Sequence, residues 1–312
     1  MSSNRWIADL VLLMVAMVWG LTFVIIQDAI ATLPPFAFNA ARFGFAAVLL
    51  FIFQIFRNKR PGHSKPVGKH LKFGILLGIF LFAGYALQTY SLLYTTSGKS
   101  GFLTGLSVAL VPILSYLILG QKPKFQALVG AGLAVGGLYF MAFSDLSSIN
   151  IGDSLAFLCA IAFGLQLVYT AKYTMEASTS SLVLIQLLTV AVLSGIFAFI
   201  FEPSIEIQMF FKPTVLIALM ITSIFATVFA YIAQTHYIKF TSAARVALIF
   251  ATEPVFAAIG DYVWNDALLG PLTFFGCLLI LAGMVLAEIP LKKAIVPLWR
   301  KKEEILVKNP CD

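Results

Sequence analysis

Charge is scarce in this chain. Acidic and basic residues make up 11% of its 312 positions, where a soluble domain carries roughly 25%, so an ordinary water-soluble globule is excluded. The balance of the charge is positive, +7, but nucleic-acid binding needs basic residues gathered on one folded face, and here they sit in the gaps between apolar runs. No nucleic-acid partner is expected. Cysteine is almost missing too: Cys159 and Cys277 fall inside apolar runs and Cys311 near the C-terminus, which rules out a disulfide framework. The three histidines, His63, His70 and His236, form no H-E-x-x-H spacing, and none lies deep in an apolar run. A metal or other cofactor is therefore not expected, and an intramembrane enzyme loses its usual chemistry. Ser97-Gly98-Lys99-Ser100 imitates the end of a phosphate loop, but Leu93 stands where that loop needs glycine. An ion channel would call for a charged ring or a carbonyl filter, and neither is visible.

What the chain has is apolar length. Hydrophobic residues reach 60% and the mean hydropathy is +0.96. A bilayer core is crossed by about 20 apolar residues in a helix. Ten runs qualify: 7–27, 36–56, 71–91, 99–119, 125–143, 153–171, 181–201, 213–236, 243–264 and 270–289. They are twice as long as a barrel strand, so the expected fold is an all-α integral membrane protein of ten transmembrane helices. The first run ends at Gln27-Asp28 without a small-x-small cleavage site and is read as a retained helix.

Alternating loops test the count. With the N-terminus inside, 18 of the 21 basic residues fall on inner segments, leaving Lys99 and Lys212 outside and Arg42 within a run. The outer segments carry Asp28, Asp145, Asp153, Glu202, Glu206 and Asp266. By the positive-inside rule both termini are expected in the cytoplasm of a multi-pass protein of the cell membrane. The loop 57–72 and the tail 290–312 are basic enough to meet anionic lipid headgroups.

The chain also repeats itself. YALQT at Tyr85 and YIAQT at Tyr231 match at an offset of 146, as do Gly130 with Gly276 and Gly137 with Gly283, while Pro112 and Pro254 match at 142. The halves are residues 1–143 and 144–289, followed by the basic tail 290–312. Five runs per half is an odd number, so the second half must enter from the opposite face. Two inverted five-helix repeats around a central cavity are the architecture of secondary transporters, with a substrate site near the midplane. Each YxxQT copy is then expected to line one wall of that cavity.

Several residues are candidates for the cavity. Glu253 lies inside a run, where an acid costs roughly 2.5–3.5 kcal/mol unless a cavity or partner receives it. It would bind a cationic group, accept a proton in a proton-coupled cycle, or hydrogen-bond at a kink. Pro254 and Pro112 are expected to break their helices by displacing the carbonyls of Phe250 and Val108. Arg42 would meet a substrate carboxylate, or else reach the headgroups or Asp28; Lys99 invites the same two readings. Tyr85 with Gln88, and Tyr231 with Gln234, each share a helix face, the second of which also takes in Thr227, either as cavity lining or as interhelical bonding. Trp19, Phe163, Gln166 and Tyr169 would supply an aromatic wall or ordinary packing. Gly74 and Gly78 allow a close neighbour. Gly132-x3-Gly136 and Gly137 would hold the fifth and tenth helices against their own halves or a second protomer.

The chain resembles the drug/metabolite transporter superfamily, specifically its EamA type. The likeness spans nearly all ten runs and rests on Trp19-Gly20, Ala41-Arg42-Phe43, Pro112, Glu253-Pro254-Val255-Phe256 and Gly276-x6-Gly283 in that order. It implies a helical bundle with a central cavity and, in many members, export of amino acids or other small metabolites. The chain departs from the family at Gln121 and Asp266, where glutamates are common after the fourth and ninth helices.

Overall fold

Backbone amides and carbonyls in lipid have no water to bond, so apolar runs satisfy them internally as helices. A computed structural model describes residues 2–57, 67–95, 97–142, 150–203, 205–265 and 270–288, and no strand occurs among them. The helices are α1 (Ser2–Ile30), α2 (Pro35–Arg57), α3 (Val67–Ser91), α4 (Ser97–Gly105), α5 (Ser107–Leu119), α6 (Phe125–Ala142), α7 (Ile151–Tyr173), α8 (Thr179–Phe201), the short α9 (Ile207–Phe210), α10 (Pro213–Ser223), α11 (Ala230–Tyr237), α12 (Ala243–Phe250), α13 (Glu253–Asn265) and α14 (Pro271–Glu288). Eight segments are long and apolar enough to cross a membrane, and two shorter apolar helices, Phe125–Met141 and Pro271–Ala287, accompany them. The tail 290–312 and most of the loop 57–72 lie outside the described residues.

The polarity of the bundle is reversed relative to a soluble protein. Phe51, Phe56, Phe199 and Ile200 face outward, Phe199 at 90% exposure, whereas Asn39, Arg42, Gln166, Gln186 and Gln234 are buried. Such a surface is matched to lipid. At the end of α8, the Glu202 carboxylate accepts the Phe36 and Ala37 amides at 2.6 and 2.9 Å, satisfying donors that the first turn of α2 leaves over.

The halves do not form separate cores. The helix α6 packs on α14, α2 on α8, α3 on both α7 and α8, and α1 on α13, so each main contact joins the first half to the second. At the α6–α14 crossing, a Cβ on Gly130 would stand 2.7 Å from the Gly283 carbonyl, and one on Gly137 would stand 2.5 Å from that of Gly276. Gly130 facing Gly283 while Gly137 faces Gly276 means that the two helices run antiparallel with their backbones in contact. The expectation that these helices pack within their own halves is therefore corrected. Gly132 and Gly136 meet nothing within 4 Å, because they lie on the opposite face of α6. Gly74 and Gly78 do allow the close neighbour expected, pressing on Ile185 and Thr189 of α8.

Three helices are interrupted. The break expected at Pro112 falls at Leu106, between α4 and α5; Pro112 sits in the second turn of α5, where the carbonyl its ring displaces belongs to the first turn. In the second half, Ala251 and Thr252 separate α12 from α13, and Pro254 occupies the first turn of α13, a position proline tolerates. Between α10 and α11 the chain forms a stretch of π-helix, Ile224–Phe229, which no glycine or proline announces.

Candidate functional site

The interrupted helices meet around one cavity of ≈ 250 Å³, lined from both halves. Trp19, Arg42, Tyr85, Gln88, Gln166, Tyr231, Gln234, Glu253 and Pro254 all line it. Its lining reaches Leu92, Gly101, Met141 and Thr273 at one end of the bundle, and stops at Gln166, Leu167, Gln234 and Ala247 in the other direction.

The two YxxQT copies meet at its centre. The Tyr231 hydroxyl donates to that of Tyr85 at 3.0 Å, so matching residues of the two repeats, 146 apart in sequence, touch each other. Gln234 Nε2 donates to Gln166 Oε1 at 3.1 Å, while Gln88 presents its side chain to the other part of the cavity.

The π stretch explains how α1 and α2 are held to this wall. A π-turn disturbs the regular i to i−4 ladder and leaves a carbonyl available. Here the Ala226 carbonyl accepts from Trp19 Nε1 at 2.8 Å and from Arg42 Nη2 at 3.3 Å, and Thr227 Oγ1 accepts from Arg42 Nε at 2.8 Å. Arg42 is thus 1% exposed and reaches neither the headgroups nor Asp28, correcting those expectations. Its guanidinium also lies 4.9 Å from the centre of the Tyr85 ring and 5.2 Å from that of Phe43, a cation–π arrangement. Trp19 packs between Phe250 and Tyr231, with ring centres 4.9 and 5.7 Å away.

Glu253 opens α13, where free amides favour an anion. The neighbouring Gly20 lets α1 approach its backbone: a Cβ there would stand 2.4 Å from the Glu253 carbonyl. Neither Glu253 nor Arg42 takes part in an ion pair among the described residues; the pairs found are Lys99–Asp153 and Arg245–Asp9.

Three candidates lie apart from the cavity. Lys99 Nζ pairs with Asp153 Oδ2 at 2.7 Å, in a site to which Thr95 also donates, and it is not part of the cavity lining. Tyr169 stacks on Phe80 and Tyr173, centres 5.4 and 5.7 Å apart. Pro112 adjoins the lining residue Val111 without joining it. No sequence pattern marks Thr22, the Phe250 ring or the Ala226 carbonyl as part of the site. The two ion pairs stand at related places in the repeat, since Arg245 follows Lys99 by 146 residues and Asp153 follows Asp9 by 144.

The EamA-like transporter family model matches residues 6–143 and again residues 150–288. The chain belongs to the EamA-like transporter family. This EamA-like protein is therefore a multi-pass membrane transporter. It is 34% identical over 286 residues to an uncharacterised transporter of Archaeoglobus fulgidus, covering 92% of this chain and 87% of that one. It is also 24% identical to protein PagO of Salmonella typhimurium, over 83% of this chain and 86% of that protein. A crystal structure of another protein shares the fold with a TM-score of 0.74 at 19% identity, covering 90% of this chain and 98% of that one.

Proposed function

We propose that this transporter carries a small zwitterionic organic molecule, of the amino-acid kind, by alternating access across the cell membrane. The observation that carries the reading is the presence of an arginine and a carboxylic acid in one cavity. Arg42 and Glu253 line one small space and are not joined in an ion pair. Charges withdrawn from water are stable when partnered. A zwitterion supplies both partners at once, its carboxylate to Arg42 and its ammonium to Glu253, while Trp19, Phe250 and Phe163 receive an apolar side chain.

Ten membrane crossings in two inverted repeats accompany this reading, with both termini in the cytoplasm and export as the direction. The antiparallel glycine contacts of α6 and α14 and the Tyr85–Tyr231 hydrogen bond support the inversion; the basic inner segments support the orientation. Glu253 also couples transport to protons, since it is the acid a substrate ammonium and a proton would share. Uptake of a panel of radiolabelled amino acids into reconstituted vesicles tests the proposal. Saturable uptake is expected, and Glu253→Gln should weaken it by about thirtyfold or more and flatten the pH dependence of what remains. Uptake unchanged in that variant removes Glu253 from the mechanism.

A further inference from the structure

Beneath the cavity floor, α7 and α11 are joined by polar side chains. Gln166, Thr170 and Thr174 recur every four residues on one face of α7. Across from them, Gln234 is bonded to Gln166, and the Thr235 carbonyl accepts from Thr174 Oγ1 at 2.8 Å. This seam leads from the cavity toward the end of the bundle that carries Lys239 and Thr179, themselves bonded at 3.0 Å.

The seam is rich in unpaired polar atoms. Among the described residues, Gln166 Nε2, Thr170 Oγ1, Gln234 Oε1 and Thr235 Oγ1 have no hydrogen-bond partner, although all four residues are at least 97% buried. Each such atom carries a desolvation penalty of about 1–3 kcal/mol, which a purely structural contact between two helices would avoid with alanine or leucine. The repeat shows what these positions do when the helices part. Between α1 and α7 the offset is 144, as for Asp9 and Asp153, so Gln166 and Thr170 correspond to Thr22 and Ile26, while the offset of 146 gives Gln88 and Thr89 for Gln234 and Thr235; all four line the open limb of the cavity.

We infer that the α7–α11 seam is the closed inner limb of the substrate's path, and that Gln166, Thr170, Gln234 and Thr235 line it when the transporter turns to its other face. This rests on the alternating-access reading above. A zwitterion leaving the Arg42–Glu253 site then passes over amides and hydroxyls that replace part of its hydration, while Thr22, Ile26, Gln88 and Thr89 close over one another on the opposite side.

Thiol labelling tests this without a known substrate. Thr170→Cys and Thr235→Cys are placed singly in the full chain with Cys159, Cys277 and Cys311 replaced by alanine. Vesicles are treated with the membrane-impermeant methanethiosulfonate ethyltrimethylammonium. Lys122→Cys, at the same end of the bundle, reports which face the reagent meets. Both test cysteines should react from the Lys122 side. Attaching a bulky maleimide to a second cysteine at Gln88 should slow that reaction about tenfold or more, because it holds the population in the outward form. If Lys122→Cys reacts and neither test cysteine does, the inference is overturned; equal labelling with and without the Gln88 block overturns it too, by showing a static crevice. Amino-acid uptake without labelling of the seam would sink this path alone. Alternating labelling without amino-acid uptake would instead sink the substrate assignment and leave the path standing.

Discussion

The two broken helices occupy matching places in the repeat and carry different chemistry. In α4–α5 the chain is interrupted at Leu106, with Gly105 packed beneath Leu138; in α12–α13 the interruption delivers Glu253 to the cavity. At the offset of 142 that aligns Pro112 with Pro254, the counterpart of Glu253 is Val111, a fully buried residue that lines the same cavity. Duplication thus provides two equivalent walls, and divergence has put the acid on one of them. A cavity with one acid and one arginine suits a single polar molecule held in one orientation.

Breaking that asymmetry should have the largest effect. Removing one member of a buried charge contact costs about 2–5 kcal/mol, so Glu253→Gln should weaken zwitterion transport by about thirtyfold or more, read as KM in reconstituted vesicles. Moving the acid should not restore it. Val111→Glu in the Glu253→Gln background puts a carboxyl on the wrong wall, and transport should stay lost while the unfolding temperature falls, in line with an insertion penalty of about 2.5–3.5 kcal/mol. Rescue by Val111→Glu would show that the two walls are interchangeable.

The ion pairs sharpen the comparison, because they are symmetric where the acid is not. Lys99–Asp153 fixes the start of α4 to α7, and Arg245–Asp9 fixes the start of α12 to α1, so the first half of each broken helix is tied down in the same manner. Their surroundings differ: side-chain exposure is 5% and 7% in the first pair and 13% for both members of the second. Leaving a buried charge without its partner costs about 3–5 kcal/mol, and greater access to solvent lowers that figure. Lys99→Met should therefore lower the thermal unfolding temperature in detergent more than Arg245→Met. The reverse order would mean that burial does not decide the strength of these pairs.

Much of this was legible in the sequence. The apolar runs reappear as helices, eight segments of them long and apolar enough to cross a membrane and two shorter, and the shared offset of 146 relates Tyr85 and Gln88 to Tyr231 and Gln234, all four of which line the cavity, because duplication carries positions as well as folds. The site's fixed points were harder to see. Ile224–Phe229 is a largely apolar string, and the Trp19 and Arg42 donors that its Ala226 carbonyl receives come from other helices. Tyr169 shares a face of α7 with Gln166 by spacing alone, yet Phe80 of α3 claims its ring. Lys99 finds its partner 54 residues away on α7, beyond α5 and α6, a pairing no local pattern encodes.

The glycines of α6 give the smallest expected difference and a sensitive control on the antiparallel packing. Gly137 sits against the Gly276 backbone, so Gly137→Ala must force α6 and α14 apart by several tenths of an ångström along a crossing that both halves share. Packing is what drives helix association in lipid, and overpacking costs about 1–3 kcal/mol; a clear drop in unfolding temperature is expected. Gly132 and Gly136 have open space where a Cβ would go, and alanine is the better helix former by up to about 1 kcal/mol. Gly132→Ala should thus leave the unfolding temperature unchanged or raise it slightly. If Gly132→Ala instead destabilised the protein as much as Gly137→Ala, the outer face of α6 would be packed as tightly as the inner one, and the contact with α14 would lose its special standing.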